Sequence, residues 1–371
     1  MAATRVRLAL AALIALAISY PALTAGKTPA FKVDPTFPKE LPHQWILGQI
    51  GGIFVDAQDH IWINQRPGTL DAREKRAATV PTVKCCVPAP PVIEFDQAGN
   101  VIQAWGGPPS TALGASGAGY TWPANEHGIF VDANNFVWVA GNGMTDGLVL
   151  KFTRDGKFVM QIGKSGPMTS SADTTQLGRP ADMVVDTVAN EVYVADGYFN
   201  HRVIVFDSNT GAFKRMWGAY GKPPTDDKIT YDPKAPLPQQ FNNPVHGIRI
   251  TKDGLVMVGD RANNRVQVFQ KNGTFVKEYR VLPETPSGTV GAVLLWPDAT
   301  QSMFVTSDDP NGEFHVVRRS DGVVVASAGH VGTNPGQFEN LHNIAIDSKG
   351  NIYTAEVQGK RIQRFLNTAG L

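Results

Sequence analysis

The sequence is short of charge, of cysteine and of long apolar runs, and each shortage closes off a class of function. Charged residues are 18% of the 371, the formal net charge is +1, and no basic run occurs. Neither nucleic acid nor an anionic membrane is therefore expected as a main partner, because counterion release needs clustered Lys and Arg. The two cysteines cannot build a disulfide framework. Cys85 and Cys86 are adjacent, match no metal-ligand spacing, and are expected as surface-loop residues or a minor clamp. The apolar run Leu8 to Tyr20 has roughly 13 residues where a helical span needs ~20. With Arg5 and Arg7 before it and Pro21 to Ala25 after it, it reads as a secretory signal peptide over residues 1–25, which predicts a secreted or periplasmic protein with no membrane span.

Glycine (37) and proline (26) are plentiful but scattered, as many short strands and turns require. The chain also repeats itself. His127-Gly128-Ile129-Phe130-Val131-Asp132 recurs as Gly51 to Asp56, more loosely as Ala181 to Asp186, and again as His246 to Ile250 and His342 to Asp347. Each copy is followed by a second β-branched and aromatic run, such as Ile61-Trp62-Ile63 or Val137-Trp138-Val139, then a third, a turn, and a fourth ending near glycine. Four short strands repeating roughly every 40 to 60 residues describe an all-β, six-bladed propeller. The blades are expected at 50–106, 126–163, 180–218, 244–282, 288–329 and 341–366, a single domain over 26–371. The last blade lacks a fourth strand, and residues 43–48 are expected to supply it and close the ring from the N-terminal side. The Asp-x-x-x-Asn-x-Arg-Val stretch from Asp196 to Val203, with a near copy from Asp260 to Val266, resembles the NHL family.

His127, His246 and His342 hold one repeat position in alternate blades, so in a six-bladed ring they lie about 120° apart and can converge on the axis. Three imidazoles with a fourth position open are the pattern of catalytic zinc, although copper, nickel or iron also suit nitrogen ligands. His43, His60, His201, His315 and His330 show no such relation and are expected at the surface or in turns. About 15 residues past the repeat start, on the same face, stand Arg66 and Arg261, with Tyr198 at the matching place in blade three. Two guanidiniums and a phenol beside a dication could hold a carboxylate and move a proton. Arg202, Arg265 and Arg361 share another place in three blades and read as scaffold.

The stretches Gly48 to Ile53 with Arg66, Glu126-His127-Gly128, Val194 to Asn200, Pro244-Val245-His246 with Gly259-Asp260-Arg261, and Leu341-His342-Asn343 resemble, in order, the peptidyl-α-hydroxyglycine α-amidating lyases. The resemblance implies a C–N lyase that releases an amide and glyoxylate. It implies a zinc on the three histidines, Tyr198 as general base, and Arg66 and Arg261 near a small-molecule or peptide substrate. It also implies a calcium in the channel, bound through the carbonyls of Ile53 and Ile129 and an aspartate after the third histidine. That residue here is Asn343, which predicts weak or replaced calcium. The family's two disulfides have no counterpart, Phe199 standing where one cysteine would be. A second reading stays open beside this one: a non-catalytic exported NHL propeller that binds a protein or cell-envelope ligand. In either case the chain is expected to be a monomer.

Overall fold

The computed structural model describes residues 27–80, 82–109 and 119–371, so the signal-peptide segment lies outside the described residues. Six antiparallel four-stranded sheets follow one another as the blades of a propeller. Their innermost strands are Gln49–Val55, Glu126–Val131, Asp182–Asp186, Val245–Ile250, the short Leu294–Leu295, and Leu341–Ile346.

The repeat residues explain the local structure. Asp56 closes the turn after the first strand of blade one by accepting the N–H groups of Gln58 and His60, both at 2.9 Å. Its other carboxylate oxygen accepts the indole N–H of Trp62 from the second strand at 2.9 Å. Asp132 repeats the arrangement with Asn134, Phe136 and Trp138. One carboxylate thus ties turn and strand together, and buried polar groups need such partners. A second recurrent device joins the second and third strands: Arg202 to Asp196 at 2.9 Å, Arg265 to Asp260 at 2.7 Å and Arg361 to Glu356 at 2.6 Å. This matches the scaffold role expected of those arginines.

An N-terminal strand closes the ring, but it is Phe31–Asp34 rather than residues 43–48. Phe31 to Asp34 pair with Asn367 to Arg364, and Phe31 packs edge-on to Phe314 at 5.0 Å. Residues 43–48 instead contribute to a short 3-10 turn and a two-residue strand, Trp45–Ile46, beside Val87–Pro88. The reason is distance. A fourth strand lies at the rim of its blade, three inter-strand spacings or ~14 Å from an innermost strand, and a strand ending next to Gln49 leaves no chain to make that crossing. Residues 35–48 provide it.

Candidate metal centre and active site

Each histidine of the alternate-blade set sits at an irregularity in its ladder: the register shifts between Glu126 and Ile129, between Val245 and Gly247, and between Leu341 and Asn343. An extra residue in one strand re-aims a side chain, and here the three rings meet. Nε2 of His342 lies 3.1 Å from Nε2 of His127 and 3.2 Å from that of His246. Glycine lets the inner strands approach this closely: a Cβ on Gly52 would lie 2.2 Å from the His127 carbonyl oxygen.

The three rings are buried. Burial, then the neighbouring imidazoles and the Arg66 and Arg261 guanidiniums, pushes the pKa of His127 and His342 well below the ordinary value. Burial and Arg261 hold His246 at about 3. All three are therefore neutral across the ordinary pH range. His127 donates its Nδ1–H to the Ala181 carbonyl at 2.7 Å, and His246 donates to the Gly291 carbonyl. Their Nε2 atoms consequently carry lone pairs, which cannot hydrogen-bond to one another. His342 Nδ1 is buried without a hydrogen-bond partner among the described residues. Converging lone pairs are what a cation satisfies, and the observed separations approach the ~3.3 Å edge of a tetrahedron built on ~2.0 Å metal–nitrogen bonds. The residues fit a transition metal.

The position expected to be open is faced by the Tyr198 hydroxyl, 3.0 Å from Nε2 of His127 and of His246 and 3.3 Å from that of His342. Burial raises the Tyr198 pKa, while Arg261, Arg66, a hydrogen bond from Asn142 and Arg179 act in the opposite direction. Arg66 ends the second strand of blade one, with its Nε–H on the Glu126 carbonyl at 2.7 Å. Arg261 opens a 3-10 turn after the second strand of blade four and pairs with Asp309 at 3.3 Å. Sequence reasoning missed Asn142, although it stands at the Arg66 and Arg261 offset in blade two, and Arg179, which donates to the Asn142 carbonyl at 2.7 Å.

The channel below the histidines offers calcium no free carboxylate at the expected ligand position. Asn343 Oδ1 already accepts the N–H of Ile344 at 2.9 Å. Ile53 and Ile129 lie in the ladders of their own blades, opposite Ile63 and Val139. The carboxylate at the repeat position of Asn343 is Asp182 of blade three, whose Oδ2 accepts Nη1 of Arg249 at 2.6 Å and the N–H of Ile248 at 3.2 Å. A guanidinium thus takes the carboxylate that a hard dication would need. The channel carries its own cation.

The remaining histidines divide. His43 and His330 are exposed, and His60 is part-buried. His201 lies in the turn between the second and third strands of blade three, as expected, while His315 corrects the expectation by lying inside a strand. His201 is buried on the Phe241 carbonyl at 2.8 Å, and His315 is buried between Asp308 at 2.9 Å and Ser327 at 2.7 Å. A second cluster, Asp56, His60 and Glu94, is filled by Arg154, which pairs with both carboxylates. Cys85 and Cys86 are bonded to each other in the loop after Arg66.

Fold and site together define a six-bladed propeller with a buried three-histidine centre. Two of its blades carry the NHL repeat, matched at residues 177–206 and 241–269. Peptidyl-alpha-hydroxyglycine alpha-amidating lyase 1 of Drosophila melanogaster is 28% identical over 326 residues, 74% of this chain and 56% of its own length. The chain thus spans little more than half of that relative. NHL repeat-containing protein 3 of Homo sapiens is 25% identical over 289 residues, 75% of this chain and 73% of its own. Among solved structures, a streptogramin B lyase shares the fold, with a TM-score of 0.51 at 12% identity over 92% of this chain and 98% of that one.

Proposed function

We propose that this protein is a metal-dependent lyase that cleaves peptidyl-α-hydroxyglycines into a peptide amide and glyoxylate. The observation that carries the reading is the Tyr198 oxygen within 3.3 Å of three neutral, converging imidazole nitrogens. His127, His246 and His342 would hold a dication such as zinc, which supplies Lewis acidity to the substrate hydroxyl oxygen. Tyr198, as the phenolate that Arg66, Arg261 and a bound dication would favour, takes the hydroxyl proton; as the carbonyl of glyoxylate forms, the C–N bond breaks with its electron pair on nitrogen. The amide nitrogen gains one proton, so the proton taken from the hydroxyl balances the one delivered. Arg66 and Arg261 orient the substrate carboxylate, and Asn142 steadies the phenol oxygen.

Residues 1–25 would direct the chain out of the cytosol and be removed, which N-terminal sequencing of the mature, monomeric protein checks. The human relative, similar over most of its own length, supports the binding-propeller reading instead. Metal analysis of protein purified without added metal, paired with glyoxylate release from an α-hydroxyglycine peptide, separates the two. About one transition metal per chain with turnover is expected. A metal-loaded protein that releases no glyoxylate would leave the binding propeller standing.

A further inference from the structure

We propose that the groove beside the histidine centre is a subsite for the peptide that precedes the hydroxyglycine, a proposal that rests on the lyase reading. A cavity of about 580 Å³ opens between the connection from blade three to blade four and the connection from blade four to blade five. Cavities of roughly 300 to 1,000 Å³ hold drug-sized ligands, so a few residues of peptide fit.

Its walls are joined to the site. Asn243 lies on the cavity three positions before His246. Its Nδ2–H₂ donates to the carbonyls of Gly197 at 2.7 Å and Asn200 at 3.1 Å, which bracket Tyr198 and Phe199. Ala262, also on the wall, follows Arg261. The lining thus stands one to three positions along the chain from an arginine and a metal-ligand histidine, and it hydrogen-bonds the turn that carries the phenol. A substrate whose carboxylate lies at the arginines and whose hydroxyl lies at the histidines can extend its acyl side along it.

The two connections are also clasped together, since Tyr231 donates its hydroxyl to the Pro283 carbonyl, so the groove is formed before a ligand arrives. The lining mixes apolar side chains (Ile229, Pro233, Pro286) with neutral hydroxyls (Thr230, Thr285, Ser287), which suits a peptide whose covered main-chain groups need partners. Glu284 is the charged side chain in the lining, and it is exposed. It favours a basic residue and disfavours an acidic one in the bound peptide.

The test compares N-acetyl-α-hydroxyglycine with pentapeptides ending in α-hydroxyglycine that carry lysine or glutamate two positions earlier. It uses the metal-loaded full chain, Ser287→Trp to fill the groove and Glu284→Lys to reverse its charge. Ser287→Trp should raise KM for the pentapeptides by about tenfold and leave the acetyl substrate within about twofold. Glu284→Lys should invert the lysine-over-glutamate preference. Calorimetry with the matching tetrapeptide amide, the product left when the fifth residue departs as glyoxylate, gives a readout independent of turnover, and Ser287→Trp should weaken that binding by the same factor. Turnover of the acetyl substrate with no effect of length, filling or charge overturns the groove and leaves the lyase reading intact. Absence of turnover with every substrate overturns the lyase reading and this proposal with it. Should Ser287→Trp fail to fold, Glu284→Lys decides.

Discussion

The Tyr198 hydroxyl faces three histidine nitrogens at 3.0 to 3.3 Å, and the proposed chemistry turns on that single oxygen. Tyr198→Phe keeps the ring and its packing but removes the proton acceptor. Turnover should fall by about 10² to 10⁴, the contribution of a positioned base, with metal content unchanged. Equal turnover in the variant would take Tyr198 out of the mechanism. Arg261→Ala should raise KM as well as lower kcat, because a carboxylate loses its partner. The neighbouring layer makes a separate prediction. With Arg249 paired to Asp182, chelation by EGTA should leave the melting temperature unchanged, and elemental analysis should find no stoichiometric calcium. Arg249→Met should cost about 3 kcal/mol or more, the usual loss when a buried carboxylate is left unpaired. Tight calcium in the parent protein would refute the internal-cation account. The three histidines were legible in the sequence because the repeat marks their position. Asn142 was legible by the same offset and was overlooked. The Asp182–Arg249 pair was not, since it joins residues of two blades and no periodicity announces a contact between side chains 67 positions apart.

At the scale of elements, the strands declare themselves through alternation and through their turn residues, and the blades follow. The closing strand does not, because Phe31 to Asp34 resembles no fourth strand of the repeat and is recognisable only by its place against Ile362–Asn367. Arg364 fixes it further, with Nε on Asp34 at 3.0 Å. Deleting residues 27–36 would bare a strand edge, and bare edges pair with other chains. Light scattering should then show association, and the melting temperature should drop. Phe31→Ala, which removes a half-buried ring from Phe314 and Trp296, should cost about 2 kcal/mol, below the 3 to 5 of a fully buried aromatic. A truncated chain that stays monomeric with the parent's stability would show that the ring holds without this closure.

On the scale of the whole molecule, three blades meet at one point through groups that are neutral when folded and protonate readily when unfolded. His246 titrates at about 3 in the folded chain against an ordinary 6.5, so between those values the unfolded state binds more protons. The metal-free protein must then lose stability as pH falls below 6.5, by about 2 kcal/mol per such histidine on reaching pH 5. Carboxylates held low, such as Glu191 at about 2, stabilise the fold above their ordinary 4.5, and that contribution is lost only as pH falls from about 4.5 toward 2, below the interval over which the histidines act. Glu126, Asp182 and Asp260, whose carboxyls burial pushes up, act with the opposite sign. The difference between two proteins isolates the histidine: without metal, His246→Gln should melt with a shallower fall between pH 7 and pH 5 than its parent. Added zinc should stabilise the parent at pH 7, and that gain should shrink toward pH 5, where protons compete for the ligand nitrogens. Parallel melting curves for parent and variant would mean that the imidazoles are not the neutral, buried set at the axis from which the whole site is built.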